Sequence, residues 1–170
     1  MPNYRRFNPD GRPIFVTFVT HERRHWLQGA GRVQLLMDAM RRIKAMYPFR
    51  HVAHVVMPDH VHWMFVPIGA ASCSAIVAAV KRDVTWRLKG SADSEGPPYW
   101  QARFFDHIIR DERDWQRHLD YIHFNPVKHG LTPCAAEHPH SSFREWVVRG
   151  VYDQEWGRAE PRSIAGLDLE

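Results

Sequence analysis

Short apolar runs alternate with amphipathic stretches along the chain, and the two patterns predict different elements. Runs of β-branched and aromatic residues are typical of strands, whereas apolar positions three and four residues apart indicate helices. On this basis we expect strands at residues 14–20, 49–57, 60–65 and 104–109, and helices at residues 32–47 and from Ser72 or Ser74 to about Leu88. The stretch 89–98 (KGSADSEGPP) has the composition of a flexible connector.

This order of elements predicts an α+β fold. Strand, helix, strand, strand, helix, strand (βαββαβ) is typical of a ferredoxin-like or RRM-like antiparallel sheet with both helices on one face. The other face would then be free, and nucleic acid binds such sheets there. A third helix begins at Asp111 and is expected to end at Asn125-Pro126, because proline disfavours the α conformation of the residue before it. Gly130 then allows the chain to turn away.

Two histidines, His60 and His62, lie two residues apart on the third predicted strand, just after the turn at Pro58-Asp59. Because strand side chains alternate between faces, both imidazoles should emerge on one side, near enough to the turn to reach solvent. Two neutral imidazoles on one strand supply part of an open divalent-metal site. In a chain with 12 histidines, ordinary polar residues on a half-solvated sheet are the alternative.

The polar face of the third helix carries, at helical spacing, Asp114, His118, Tyr121 and Asn125. Taken singly, Tyr121 is compatible with a packing role and Asn125 with a helix end. Together with His60 and His62, however, Asn125 adds an oxygen to two nitrogens. Such a partly open set of ligands suits a Mg²⁺ or Mn²⁺ ion that also binds a phosphate oxygen, although Zn²⁺ also fits. The phenol of Tyr121, with an ordinary pKa of about 10, would need this help to attack a phosphate.

Composition narrows the class of protein. A length of 170 residues fits one domain, with or without an added tail. The 23 basic and 19 acidic residues give a net charge of +4, which is compatible with a polyanionic partner. Two cysteines form no disulfide framework, and the basic N-terminus shows no export signal. The uncharged run 63–80 is interrupted by Pro67 and Gly69, so we expect a cytoplasmic protein without a membrane span.

Four stretches make the chain resemble the REP-associated tyrosine transposases, within the single-tyrosine HUH (His, hydrophobic, His) transposase superfamily. They are Tyr4-Arg5-Arg6 with Phe15-Val16-Thr17, residues 57–62 (MPDHVH), Trp100-Gln101 with residues 105–110, and residues 121–128 (YIHFNPVK). The second and fourth are highly specific in combination. The resemblance implies a transposase domain at residues 1–132 and a C-terminal tail, residues 133–170, that packs on the same domain.

The resemblance also implies a chemistry. His60 and His62 would be metal ligands, Tyr121 the nucleophile, and Asn125 the third ligand at a position where many relatives carry Gln. With Mg²⁺ or Mn²⁺, Tyr121 would attack a phosphorus of single-stranded DNA, leaving a 5′-phosphotyrosine and a free 3′-OH. The implied partner is single-stranded DNA with a hairpin built from repetitive extragenic palindromes (REP). Monomer and homodimer both stay open.

Basic side chains are the candidates for contacts to DNA phosphates. They are Arg5, Arg6, Lys81, Arg82, Arg103 and Lys128. A solvated helix face is an equal explanation for Lys81 and Arg82. Two other functions also stay open: an RRM-like module that binds single strands without cutting, and a metal-dependent phosphodiesterase in which water attacks. The first would tolerate Tyr121→Phe except in affinity, and the second would cleave without a covalent adduct.

Overall fold

A four-stranded antiparallel sheet lies at the centre of the computed structural model, which describes residues 11–90 and 96–169. Its strands are β1 (Ile14–Val19), β2 (Phe49–Val56), β3 (His60–Pro67) and β4 (Phe105–Ile108). Helices α1 (Ala30–Met46) and α2 (Cys73–Lys89) complete the βαββαβ order. The strands lie side by side as β2-β3-β1-β4, all pairs antiparallel, and the predicted α+β fold is confirmed.

One face of the sheet packs against α1 and α2. Alternate residues of β1 and β3 point into this core: Val16, Phe18, Val61, Trp63 and Phe65. The Ser72 hydroxyl accepts a hydrogen bond from the Ala75 backbone N–H at 3.1 Å, so Ser72 and not Ser74 caps α2. This half of the molecule is an apolar scaffold that fixes the register of the strands.

The opposite face of the sheet is covered, so the expectation of a free face is wrong. A third helix, α3 (Glu112–Lys128), lies on it together with the C-terminal segment. The apolar cluster formed there contains Phe15, Met64, Leu119, Ile122, Trp146, Tyr152 and Ile164. The physical reason is visible in β1, which is apolar on both faces, since a bare face would leave large side chains such as Phe15 in water.

Helix α3 runs through Pro126 to Lys128, so the expected end at Asn125-Pro126 is also wrong. Pro126 lies in the last turn and cannot donate to the Ile122 carbonyl, yet the helix continues for two more residues. The Asn125 carbonyl instead accepts from the His129 N–H at 3.0 Å, and Gly130, with φ 68°, turns the chain as predicted. The extra residues place Lys128 two turns beyond Tyr121 on the same face of the helix.

The C-terminal segment contains α4 (Phe143–Val148) and packs against β2 and α3. The Trp146 indole N–H donates to the Val52 carbonyl at 3.2 Å, and the Tyr152 hydroxyl donates to Asp120 at 2.7 Å. A domain boundary at residue 132 stays a prediction. Among the described residues, none of the helices combines the length and apolarity needed to cross a bilayer.

Candidate active site

His60 and His62 lie on the sheet face that α3 covers, and their ring centroids are 4.7 Å apart. The common direction of the two side chains follows from the alternation of β3, as predicted. Their exposure differs from the expectation, since only 1% of His60 and none of His62 is accessible. The cause is the same packing that fills the second face: α3 lies over the turn and shields both rings.

The Nδ1 atom of His60 lies 2.6 Å from Oδ1 of Asp59, the residue just before it in the turn. Burial alone would raise the pKa of Asp59. Hydrogen bonds and positive charge from His60 and Arg23 outweigh burial and hold that pKa at about 2. Asp59 is therefore a carboxylate at neutral pH, and it accepts a hydrogen bond from the N–H at Nδ1 of His60. In neutral His60 this leaves Nε2 as the nitrogen with a lone pair.

The Nδ1 atom of His62 lies 2.8 Å from the hydroxyl oxygen of Thr17, its partner across the β1–β3 pair. That hydroxyl donates its single hydrogen to the Leu169 carbonyl at 3.0 Å. Because the hydrogen is used there, Thr17 accepts from Nδ1–H of His62. In its neutral form, each histidine thus has the tautomer that leaves Nε2 available to a metal. Asp59 orients the His60 ring and Thr17 orients the His62 ring through Nδ1, as is common for metal-binding histidines.

Asn125 completes the predicted donor set. Its Oδ1 atom lies 3.1 Å from Nε2 of His60, and the side chain is fully buried. When a neutral His60 carries its proton on Nδ1, Nε2 and Oδ1 are two acceptors in contact, and a cation bound to both would stabilise them, whereas a doubly protonated His60 donates Nε2–H to Oδ1. The donors present therefore fit a divalent metal, and the structure brings the three predicted ligands together.

Tyr121 lies directly beside this donor set. Its ring centroid is 5.1 Å from that of His62, and 1% of its surface is accessible. The phenol oxygen is 3.0 Å from Nζ of Lys128 and 3.1 Å from the backbone nitrogen of Leu169. Lys128 in turn lies 3.3 Å from the Asp168 carboxylate. The candidate nucleophile thus has a cationic neighbour and is covered by the end of the C-terminal segment.

The other basic candidates lie elsewhere. Lys81 and Arg82 are on α2, which packs on the opposite face of the sheet from Tyr121, and the Lys81 ammonium donates to the Gln101 carbonyl at 2.6 Å. Arg103 is exposed just before β4. Arg5 and Arg6 fall outside the described residues. The contacts of all these residues with DNA stay predictions.

Sequence reasoning missed the Asp59 carboxylate and the Thr17 hydroxyl, and it placed Asp114 and His118 on one helix face without the cluster that they form with His107. Asp59 could have been found, because a carboxylate beside a ligand histidine is a common orienting partner. Thr17 could not, since its contact with His62 depends on the β1–β3 register. The cluster joins β4 to α3, and no local pattern relates these two elements.

Comparisons with known proteins show the family to which the chain belongs. The family described as "Transposase IS200 like" matches residues 14–125. A REP-associated tyrosine transposase of Escherichia coli K12 is 35% identical over 159 residues, covering 92% of this chain and 91% of the relative. A Haemophilus influenzae protein with the same name, given provisionally, is 32% identical over 98% of this chain and 99% of its own length.

Solved structures give the same result for the fold. A REP-associated tyrosine transposase bound to a REP hairpin superposes with a TM-score of 0.78 at 30% identity, over 96% of each chain. A provisionally named transposase from Deinococcus radiodurans matches at 18% identity with a TM-score of 0.52, over 77% of this chain and 98% of that one, and supports the fold alone. The family model and these relatives together define the chain as a transposase, a class of enzymes that cleave and rejoin DNA. This chain belongs to the IS200-like transposase family, and to the REP-associated tyrosine transposases within it.

Proposed function

We propose that this protein cleaves and rejoins single-stranded DNA through a covalent bond to Tyr121, beside hairpins of the REP type. The observation that carries the proposal is the position of the Tyr121 ring, 5.1 Å from His62, next to the facing donors of His60 and Asn125. A nucleophile beside a metal-type donor set is the arrangement that a phosphoryl-transfer reaction requires.

The reaction forms one bond and breaks one. The Tyr121 oxygen bonds to phosphorus, the phosphorus–O3′ bond breaks, the phenol proton is lost, and O3′ ends as a hydroxyl. A divalent ion such as Mg²⁺ or Mn²⁺ on His60, His62 and Asn125 would supply Lewis-acid charge at the phosphate. Lys128, within 3.0 Å of the phenol oxygen, stabilises negative charge on that oxygen both as it attacks and as it leaves on rejoining.

The substrate class follows from the relatives. One solved structure that matches 96% of this chain holds a REP hairpin, and two relatives at 32% and 35% identity carry the REP-associated name. The net charge of +4 suits a DNA partner. We propose that this chain also binds a REP-type hairpin and cuts the single strand beside it.

The test is a denaturing gel with end-labelled single-stranded oligonucleotides that carry palindromes from the neighbourhood of the gene. We expect a protein-linked DNA band that needs Mg²⁺ or Mn²⁺ and disappears in Tyr121→Phe. Cleavage without an adduct, retained in Tyr121→Phe, would favour the water-using phosphodiesterase. Binding that survives chelation without any cleavage of the cognate hairpin would favour the binding module.

Lys128 provides the first quantitative prediction. We expect Lys128→Met to slow adduct formation about 10- to 100-fold, because the donor 3.0 Å from the phenol oxygen is lost. Lys128→Arg, which keeps the charge, should retain a larger part of the activity. The single-turnover cleavage rate at saturating DNA measures this effect.

Lys128 is also one of the DNA contacts predicted from the sequence, and DNA affinity, measured by fluorescence anisotropy, separates that contact from stabilisation of charge on the Tyr121 oxygen. A phosphate contact would weaken binding and reduce the salt slope by about one. If Lys128→Met changes only affinity and leaves the saturated rate intact, the role beside Tyr121 is wrong.

The C-terminal contact with Tyr121 gives a second prediction. The end of the C-terminal segment covers the Tyr121 oxygen, so it has to move away before that oxygen can reach a phosphorus. We expect Leu169→Pro, which deletes the N–H that holds the segment there, to loosen this cover and accelerate adduct formation about 2- to 10-fold. That range corresponds to the loss of one hydrogen bond of ordinary strength. Removal of residues 166–170 should act in the same direction. Leu169→Ala, which keeps the backbone N–H and removes only the side chain beyond Cβ, is the matched control, and equal acceleration there would contradict the specific contact.

A further inference from the structure

His107, Asp114 and His118 form a second cluster of potential metal ligands, separate from His60, His62 and Asn125. Each offers one nitrogen or carboxylate oxygen, and these donor atoms all lie within 4.8 Å of one another. His107 is on the edge strand β4, while Asp114 and His118 are one turn apart near the start of α3. The cluster therefore connects two elements that are distant from the β3 turn in the sequence.

The Asp114 carboxylate is the centre of this cluster. Its Oδ2 atom accepts from His107 Nε2 at 2.8 Å and from the Arg110 backbone N–H at 2.9 Å, and Oδ1 is 3.2 Å from His118 Nδ1. Burial would raise the pKa of Asp114, but the hydrogen bonds from His107 and Arg110 and the nearby imidazole charges hold it at about 2. A buried negative charge thus faces two imidazoles.

The two imidazoles differ in access. His118 is 4% exposed, and burial lowers its pKa, so it is neutral and able to act as a ligand at neutral pH. The His107 side chain is 27% exposed and leaves a path from solvent to the carboxylate. Two neutral imidazoles and one carboxylate are the protein ligands of many open zinc sites, in which water takes the fourth position.

We propose that His107, Asp114 and His118 bind a second divalent cation of the Zn²⁺ type, which joins β4 to α3. Binding requires two local changes. The proton on His118 Nδ1, which now donates to the Asp114 carbonyl at 2.7 Å, must be exchanged through solvent for one on Nε2, so that the ring stays neutral and Nδ1 carries the lone pair. The imidazole rings of His107 and His118 are now stacked at 9° with centroids 4.6 Å apart. One of them must rotate so that a nitrogen lone pair from each ring points at the same ion. His107, on the exposed side, is the ring with room to do so.

The proposed ion would stabilise the helix that carries the nucleophile. His118 precedes Tyr121 by three residues, and its ring contacts Phe15 at 4.9 Å. Phe15 also stacks on His62 at 5.5 Å, so one phenylalanine contacts a histidine of each site. We therefore expect a stabilising ion rather than one that contacts the DNA phosphate.

The test uses full-length protein freed of metal with EDTA and then titrated with Zn²⁺ by calorimetry. In His60→Ala/His62→Ala, where the first site is destroyed, we expect one equivalent of Zn²⁺ to bind and the Tm to rise by roughly 5–10 °C at a hundredfold excess over Kd. Adding His107→Gln or His118→Gln should abolish both effects. His25→Ala, an exposed histidine in the loop after β1, is the matched control and should change neither.

Two results would overturn the proposal. One is that His60→Ala/His62→Ala binds no Zn²⁺, and the other is that its Zn²⁺ survives both His107→Gln and His118→Gln. If the double variant does not fold by circular dichroism, the same comparison is made in the otherwise unmodified protein. There the stoichiometry should fall from two to one with His107→Gln, and an unchanged value would contradict the second site.

Discussion

Tyr121→Phe should abolish the covalent protein–DNA adduct and reduce strand cleavage by about 10³-fold or more, the range for loss of a nucleophile. The substitution removes only the phenol oxygen. The ring keeps its contacts with Phe15 and His62, so the second apolar cluster stays filled. What is lost besides the nucleophile is the pair of hydrogen bonds from Lys128 and the Leu169 N–H.

These two hydrogen bonds set the expected cost in stability. A single intramolecular hydrogen bond contributes about 1 kcal/mol, so the free energy of unfolding should fall by about 1–2 kcal/mol and the variant should stay folded. Urea denaturation followed by circular dichroism measures this value. A loss of cleavage in a folded protein then reports on chemistry rather than on collapse of the fold.

Tyr47→Phe is the matched control for the loss of a phenol. Tyr47 lies at the end of α1, against the core on the other face of the sheet. The Tyr47→Phe variant should therefore cleave DNA at the unchanged rate. Should Tyr121→Phe cut at the normal rate, Tyr121 is not the nucleophile and the covalent mechanism is wrong.

His62→Gln should reduce metal-dependent cleavage on the order of 100-fold or more. An amide is a poorer metal ligand than an imidazole, and the amide oxygen of Gln lies at a different distance from the backbone than Nε2 of His62. Gln can still contact the Thr17 hydroxyl from β3, which limits damage to the strand pair. His60→Gln should have a similar effect, with an added cost because the Asp59 carboxylate loses its imidazole partner. Cleavage rates across a Mn²⁺ titration measure both effects.

The metal titration also separates this site from the cluster at His107. Substitution of a ligand should raise the Mn²⁺ concentration needed for half-maximal cleavage, whereas His107→Gln should leave that concentration nearly unchanged. His25→Ala again controls for nonspecific binding to exposed imidazole. If His62→Gln retains the normal Mn²⁺ dependence, the donors on β3 do not hold the active metal.

Local patterns in the sequence determined a large part of this protein. The four strands and first two helices follow from residue type and period, because burial of alternating or helical apolar positions drives their formation. The shared face of His60 and His62 follows from the two-residue period of a strand alone. The family followed from two motifs, MPDHVH and YIHFNPVK, and the comparisons confirm it.

The motif at residues 121–128 also shows where local reasoning failed. The rule that proline ends a helix predicted an end at Asn125, yet α3 continues to Lys128. Pro126 removes one backbone hydrogen bond from the helix, and packing of the buried face of α3 against the sheet beneath it offsets that loss. Tertiary packing thus outweighed a local backbone preference.

Only the tertiary structure decided what surrounds the candidate site. The position of α3 across the sheet buried both histidines, and the β1–β3 register placed Thr17 against His62. The return of the chain brought Leu169 to the Tyr121 oxygen across 48 positions of sequence. Such contacts join residues far apart along the chain, so no local period specifies them. They form because the sheet has two apolar faces, and the second face requires a helix and the C-terminal segment to cover it.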